Sequence, residues 1–191
     1  MLPATPMENP TLEARQGVGN GNRGDWRYRL GQWTGGAGVS EEVEAKMDFP
    51  MRAVDAWERI VFFEETLRRP PWILRWVIPE PLSVEGDKNH AGGLVRCIYR
   101  RGEIVKHVTA LERPEHVSFN VMGQELGIEK MVLVRGGSYW IEDMGEACRV
   151  RLSTRYTAFM RPRWLWRPVE RWLMGVLHRH ILGSMRMGGG A

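Results

Sequence analysis

The sequence predicts an α+β helix-grip domain, in which a curved antiparallel sheet of six to seven strands wraps around a long C-terminal helix, with two short helices after the first strand. Three observations predict it. Between Leu94 and Phe159, five runs rich in Val, Ile, Thr, Tyr and Phe follow one another with short joins, the pattern of an antiparallel meander. Near the C-terminus, apolar residues recur at helical spacing over one long segment. A sheet with one apolar face must be covered, and that last helix is the only element long enough to cover it.

The elements follow in order. Residues 1–38 contain eight Gly and three Pro and show no period, which predicts a flexible tail unable to bury enough surface to offset its ordering entropy. Its aromatic run, Trp26 to Trp33, could dock on the domain or on a partner. Val43, Ala45, Met47 and Phe49 then alternate with Glu42, Glu44, Lys46 and Asp48, a half-buried strand. Pro50 ends it and suits the first turn of a helix on which Val54, Trp57, Ile60 and Val61 recur. Arg69-Pro70-Pro71 breaks that helix, and Trp72 to Ile78 reads as a second short, apolar one.

Strands are predicted at 83–85, 94–100, 103–112, 116–124, 130–143 and 147–159. In the last of these, Val150, Leu152, Thr154, Tyr156 and Ala158 share one face, and Arg149, Arg151, Ser153, Arg155 and Thr157 share the other. On the final helix, Val169, Trp172, Leu173, Val176, Leu177, His180, Ile181 and Ser184 form one stripe. Pro168 is tolerated only in a first turn, which places the helix start near Leu165. Gly188-Gly189-Gly190 ends the helix, so the domain is expected to span 39–187 with a disordered end at 188–191.

Composition excludes several classes. No apolar run approaches the roughly 20 residues that span a bilayer. Met1 to Pro6 lacks the charged start and apolar stretch of a secretory signal. Two cysteines, Cys97 and Cys148, make neither a disulfide framework nor a metal cluster, and suit a reduced, cytoplasmic protein. The net charge of +4 is uneven: from Arg149 onward, nine Arg face the single acid Glu170. Such a segment suits an anionic partner, while the plainer reading is a solvated sheet face and a helix with a basic polar side. Neither a nucleotide-binding glycine motif nor a nucleic-acid recognition motif is present, so nucleic acid is not expected as a partner.

Several runs resemble the START-like (SRPBCC) superfamily of polyketide cyclase/dehydrase and lipid-transport proteins, in particular a bacterial branch. They are the strand-Pro50-helix run from Val43 to Trp57, Val95 to Tyr99, Val108 to Pro114, Leu133 to Tyr139, and Thr154-Arg155-Tyr156 leading to Arg161 to Pro168. The resemblance runs from about Glu42 to Met185 and implies a helix-grip fold with an apolar cavity between sheet and C-terminal helix. It implies no cofactor and no particular reaction.

Candidate site residues follow. Tyr99, Tyr156, Leu152, Thr154, Trp172, Val176 and His180 are expected to line the cavity, with Trp72 and Trp76 gating its mouth. His180 sits on the stripe, where it is either a satisfied core histidine or an acid/base. His178 points about 200° away from it on a helix, so the two do not chelate one metal, and no metal site is expected. His107 is the other acid/base candidate. A two-residue turn at Arg101-Gly102 pairs Cys97 with Lys106, and a three-residue turn pairs Cys97 with His107. Gln124, Glu129 and Glu142 are strand-end polar residues, either solvated or raised in pKa at an apolar mouth. Arg161, Arg163, Arg167 and Arg171, among tryptophans, suit either an anionic membrane surface or a packed helix start with Arg stems over aromatics. The expected function is binding or transfer of a lipid, polyketide or isoprenoid-like molecule. The alternatives are a cyclase, dehydratase or isomerase, and a peripheral membrane module.

Overall fold

The computed structural model describes residues 38–61 and 81–187. The predicted tail, the second short helix with Trp72 and Trp76, and residues 188–191 lie outside the described residues. The described elements are β1 (Val39–Phe49), α1 (Ala53–Val61), β2 (Pro81–Gly86), β3 (Leu94–Tyr99), β4 (Gly102–Glu112), β5 (His116–Glu125), β6 (Val132–Asp143), β7 (Cys148–Ala158) and α2 (Arg163–Met187). The strands form one seven-stranded antiparallel sheet in the order β1-β7-β6-β5-β4-β3-β2. The meander is therefore continuous from β2 to β7, and the first strand returns to pair with the last.

That pairing answers the charge asymmetry. Glu41, Glu42, Glu44 and Asp48 of β1 stand opposite the basic strand β7 and near the start of α2. Arg149 Nε donates to Asp48 Oδ1 at 2.7 Å, and Arg151 lies 4.0 Å from Glu44. Charges far apart in sequence are neighbours across one strand pair, and opposite charges there support the ladder.

The inward face of β7 is as its alternation predicts, with Cys148, Val150, Leu152, Tyr156 and Ala158 all buried. Both helices depart from their predicted phases. On α1 the buried residues are Ala53, Ala56, Trp57 and Ile60, while Val54 is 57% exposed, and Pro50 lies in the bend before the helix rather than in its first turn. On α2 the buried residues are Glu170, His178, Leu182, Ser184 and Met185. Met174, His178, Leu182 and Met185 each lie one residue after a predicted stripe position, a rotation of about 100°. The reason is that α2 has apolar residues on both sides, so periodicity alone does not choose its buried face. The helix also starts at Arg163, leaving Pro168 in the second turn rather than the first.

The main core joins Phe49, Trp57, Ile141, Val150, Leu152, Leu182 and Met185, and fills the space between the two helices and β1, β7 and β6. Arg59 of α1 locks the far end of α2 by donating to the carbonyls of Met185 and Arg186 at 2.9 and 3.0 Å, which satisfies groups a helix C-terminus leaves unpaired. A second core of Val95, Cys97, Ile104, Val108 and Leu126 lies across β3 to β5.

Candidate functional site

Between these two cores the described residues leave part of the inward face of the sheet unfilled. A partly open cavity of about 90 Å³ lies between Ile60 of α1 and strands β2 to β6. Val84, Val95, Val108, Leu111 and Val117 make its apolar wall, with Phe119, Tyr139, Lys88 and Lys106.

Strand parity and two register shifts place these side chains. On β4, Ile104, Lys106 and Val108 alternate onto the inward face, opposite Gln124, Val121 and Phe119 of β5. The register shifts between Val108 and Ala110, so Leu111, opposite Val117, also turns inward where unbroken alternation would aim it out. Phe119 pairs with Gly137 on β6, and a Cβ on Gly137 would stand 2.7 Å from the Ser153 carbonyl oxygen and 3.0 Å from the phenyl ring, so glycine leaves the ring room against the sheet. Lys88 comes from the turn after β2, which Gly86 opens with a φ of +106° and Asn89 N–H tightens by donating to Asp87 Oδ1 at 2.9 Å.

Lys106 is the residue with chemistry. Its ammonium lies 4.9 Å from the centroid of Phe119, a cation–π distance. Burial pulls its pKa down to about 8, because an apolar wall disfavours the charged form. It still carries charge at neutral pH. Tyr139 faces the same space, and burial first, then the nearby Cys97, pushes its phenol up, so it stays protonated and can donate a hydrogen bond. Burial also pushes the Cys97 thiol up to about 12, far from a thiolate nucleophile at neutral pH.

None of the sequence-named candidates among the described residues appears in the described wall. Leu152 and Tyr156 are wholly in the core, Tyr99 packs on the second core, and Val176 and His180 are half-buried. Trp172 is 52% exposed, on the outer side of α2. Thr154 faces inward but is bonded to His178, whose Nε2 lies 2.8 Å from its Oγ1. His107 pairs with Leu94 and Asn120 on the outward face of the sheet, both exposed. The β3–β4 turn sits one residue earlier than expected, at Arg100-Arg101, so Cys97 pairs with Ile104 and no Cys–His pair forms. Gln124 bridges β5 to β6 through Val132 O and Val134 N–H, Glu129 accepts from the Leu126 and Gly127 amides, and Glu142 is exposed near Arg149. All three have structural partners.

The basic run divides. Glu41, with only 7% of its side chain exposed, gathers Arg163 at 3.2 Å, Arg167 at 3.0 Å and Arg171 at 3.5 Å, and Arg163 also pairs with Glu170 at 2.7 Å. These arginines therefore close the β1–α2 corner over Tyr156. Of the tryptophans at the helix start, Trp164 is 78% exposed and Trp166 is half-buried. Among the described residues, no helix is long and apolar enough to cross a membrane, and no cluster could hold a metal ion.

No protein-family model matches the chain, and no curated protein matches its sequence. Solved structures do match. The di-domain ARO/CYC BexL of the BE-7585A biosynthetic pathway is similar over 80% of this chain and 51% of its own, with a TM-score of 0.55 and 11% identity. A point mutant of norcoclaurine synthase from Thalictrum flavum, in complex with a transition-state analogue, is similar over 79% of this chain and 97% of its own, with a TM-score of 0.51 and 11% identity. An uncharacterized protein from Bacillus thuringiensis gives a TM-score of 0.54 at 11% identity, over 77% and 97% of the two chains. The chain has the helix-grip fold. At such identity the likeness is one of fold, and a helix grip hosts both binding and catalysis, so the function must be argued from the cavity.

Proposed function

We propose that the chain binds a hydrophobic small molecule, of lipid, polyketide or isoprenoid character, in the cavity between α1 and strands β2 to β6. The observation that carries this reading is an apolar wall of Val, Leu, Ile and Phe broken by a few convergent polar groups, the usual make-up of a small-molecule site. Burying ligand surface there contributes about 25 cal/mol per Å² before ordering costs. Norcoclaurine synthase and the ARO/CYC protein, with the same fold, act on or bind organic molecules by their names, which supports the reading. In an enzymatic version the acid/base role would fall to Lys106 and Tyr139, since His107 and His180 lie elsewhere.

The test is native mass spectrometry of the full chain, organic extraction of anything carried, and titration with a neutral solvatochromic dye. A stoichiometric apolar molecule, or dye binding lost on Val108→Phe, supports the cavity. An apo mass together with no dye binding, or with dye binding indifferent to Val108→Phe, overturns it.

A second reading rests on a separate observation. Trp164, Leu165, Val169 and Trp172 are all exposed on α2, and arginines flank them. Trp and Arg on one helix suit the interface of an anionic membrane. Cosedimentation with anionic vesicles that is weakened by salt and by Trp164→Ala with Trp172→Ala supports it. Binding unaffected by either sinks it.

A further inference from the structure

We infer that the exposed apolar face of α2 and the N-terminal run Trp26-Arg27-Tyr28-Arg29-Leu30-Gly31-Gln32-Trp33 form one two-part docking surface for an anionic lipid bilayer. The inference rests on the second reading above, which uses α2 alone, and adds the N-terminal run as a second contact with the same bilayer.

Leu165, Val169 and Trp172 recur at i, i+4 and i+7, and Val176 follows at i+11, so the four share one side of α2. That side is turned away from His178, Leu182 and Met185, which are buried against the rest of the fold. Trp164, Leu165, Val169 and Trp172 are all exposed. Single apolar residues scattered on a surface need no explanation, whereas a cluster at the start of one helix marks a contact surface.

Charge says what that surface meets. Glu170 is the single acid of α2 and is buried, so no carboxylate of the helix stands on its exposed side. Arg163, Arg167 and Arg171 share the carboxylates of Glu41 and Glu170, three positive charges against two. Arg179, exposed, lies about two turns beyond Trp172 on the same side. A positive rim around exposed indole and aliphatic side chains complements a bilayer with anionic headgroups, with arginine at the phosphates and Trp and Leu at the acyl boundary.

The N-terminal run, which lies outside the described residues, repeats that composition: Trp26, Tyr28, Leu30 and Trp33 with Arg27 and Arg29, and no acid. It also joins the domain at the same corner. Val39 pairs with Ala158, and the chain passes from Ala158 directly to the start of α2 at Arg163. From Gly38 an extended chain reaches about 17 Å to Trp33 and about 40 Å to Trp26. The exposed stretch from Trp164 to Trp172 is about 12 Å long, so both parts can meet one plane. Two modest membrane contacts on one chain reinforce each other, because the second forms at high effective concentration. Laid on α2 itself, Arg27 and Arg29 would face Arg167, Arg171 and Arg179, like charge against like, whereas an anionic surface attracts both parts.

The experiment is cosedimentation of the full chain with vesicles of phosphatidylcholine, and of phosphatidylcholine with one third phosphatidylglycerol, at low and high salt. The wild type is compared with three double variants: Trp26→Ala with Trp33→Ala, Arg27→Gln with Arg29→Gln, and Trp164→Ala with Trp172→Ala. The wild type is expected to bind the anionic vesicles, more weakly at high salt, and not the neutral ones. Each Trp pair should weaken binding several-fold. The Arg27→Gln with Arg29→Gln pair should weaken it about ten-fold or more, since one arginine near an anionic surface is worth roughly five-fold. Binding that needs Trp164 and Trp172 but is indifferent to both N-terminal variants overturns the inference and leaves the second reading standing. No binding to anionic vesicles, or equal binding to both kinds, overturns both. Tighter binding after Trp26→Ala with Trp33→Ala would show the run covering α2 within the chain, and a dimer dispersed by Trp164→Ala with Trp172→Ala would show a second copy on that face. Either result overturns the inference.

Discussion

His178 of α2 and Thr154 of β7 are joined through Nε2 and Oγ1 at 2.8 Å, and this contact fixes which side of the helix faces the sheet. The imidazole is fully buried, and its Nδ1 has no hydrogen-bond partner among the described residues. Burial pulls its pKa down to about 4, so it is neutral in the folded state. An unfolded histidine titrates near 6.5. Between those values the unfolded chain takes up a proton that the native chain refuses, so stability falls as pH drops from about 6.5 to 4, by up to about 3 kcal/mol. Urea unfolding from pH 7 to 4.5 should show this slope, and the difference between wild type and His178→Gln should isolate it. A parallel pair of curves would mean that His178 is not shielded in solution.

Glu41→Gln should cost about 2–4 kcal/mol, because it removes the buried carboxylate on which three arginines converge and leaves the half-buried Arg163 with Glu170 alone. Arg171→Ala should cost less than about 1 kcal/mol, since Arg171 is 48% exposed and only 3.5 Å from Glu41 at its closest. Denaturant midpoints measured side by side test the ranking. Equal costs would show that the network does not centre on Glu41.

Lys106→Met should raise stability at pH 7, by on the order of 2 kcal/mol, because an ammonium in an apolar wall is replaced by an apolar side chain of similar length. The penalty is fully present below about pH 8 and fades as the pH climbs toward 10.5, where the unfolded lysine also loses its proton. The advantage of the variant should therefore shrink between pH 8 and 10.5 in thermal melts. An unchanged or lower melting temperature at pH 7 would place the ammonium in water rather than in the wall.

Gly102→Ala should destabilise the β3–β4 hairpin more than Gly145→Ala does its own turn. Both glycines have positive φ, +148° and +88°. At Gly102 an added Cβ would collide with the Glu125 carbonyl oxygen of β5, whereas at Gly145 it would meet nothing within 4 Å. The first should cost about 2 kcal/mol or more and the second about 1 kcal/mol, by chemical unfolding. Equal costs would show that the β5 end yields freely.

Much of the fold was legible. The alternation of β1 and of β7 gave their inward faces, and the run of short joins gave the meander. Parity in a strand is local, so a few residues suffice to read it. The site was less legible. Val105, His107 and Thr109 looked as suited to the interior as Ile104, Lys106 and Val108, and the bulge before Ala110 has no signature in the sequence. The stripe with Trp172 and His180 was plausible because apolar residues lie on both sides of α2. One signal was available: a lysine between two β-branched or aliphatic residues, in a chain that otherwise uses arginine.

The sequence by itself determined the order of strands and helices, the inward face of β7, and the supply of acids in β1 and bases near the C-terminus. These follow from short-range pattern and composition. Only the tertiary structure decided that the acids and bases cancel across β1, β7 and α2, that His178 rather than His180 meets the sheet, and that the cavity lies under α1 with Lys106 in its wall. Each of those depends on which distant segment packs alongside, and on single-residue shifts in register, which reverse the facing of every side chain beyond them.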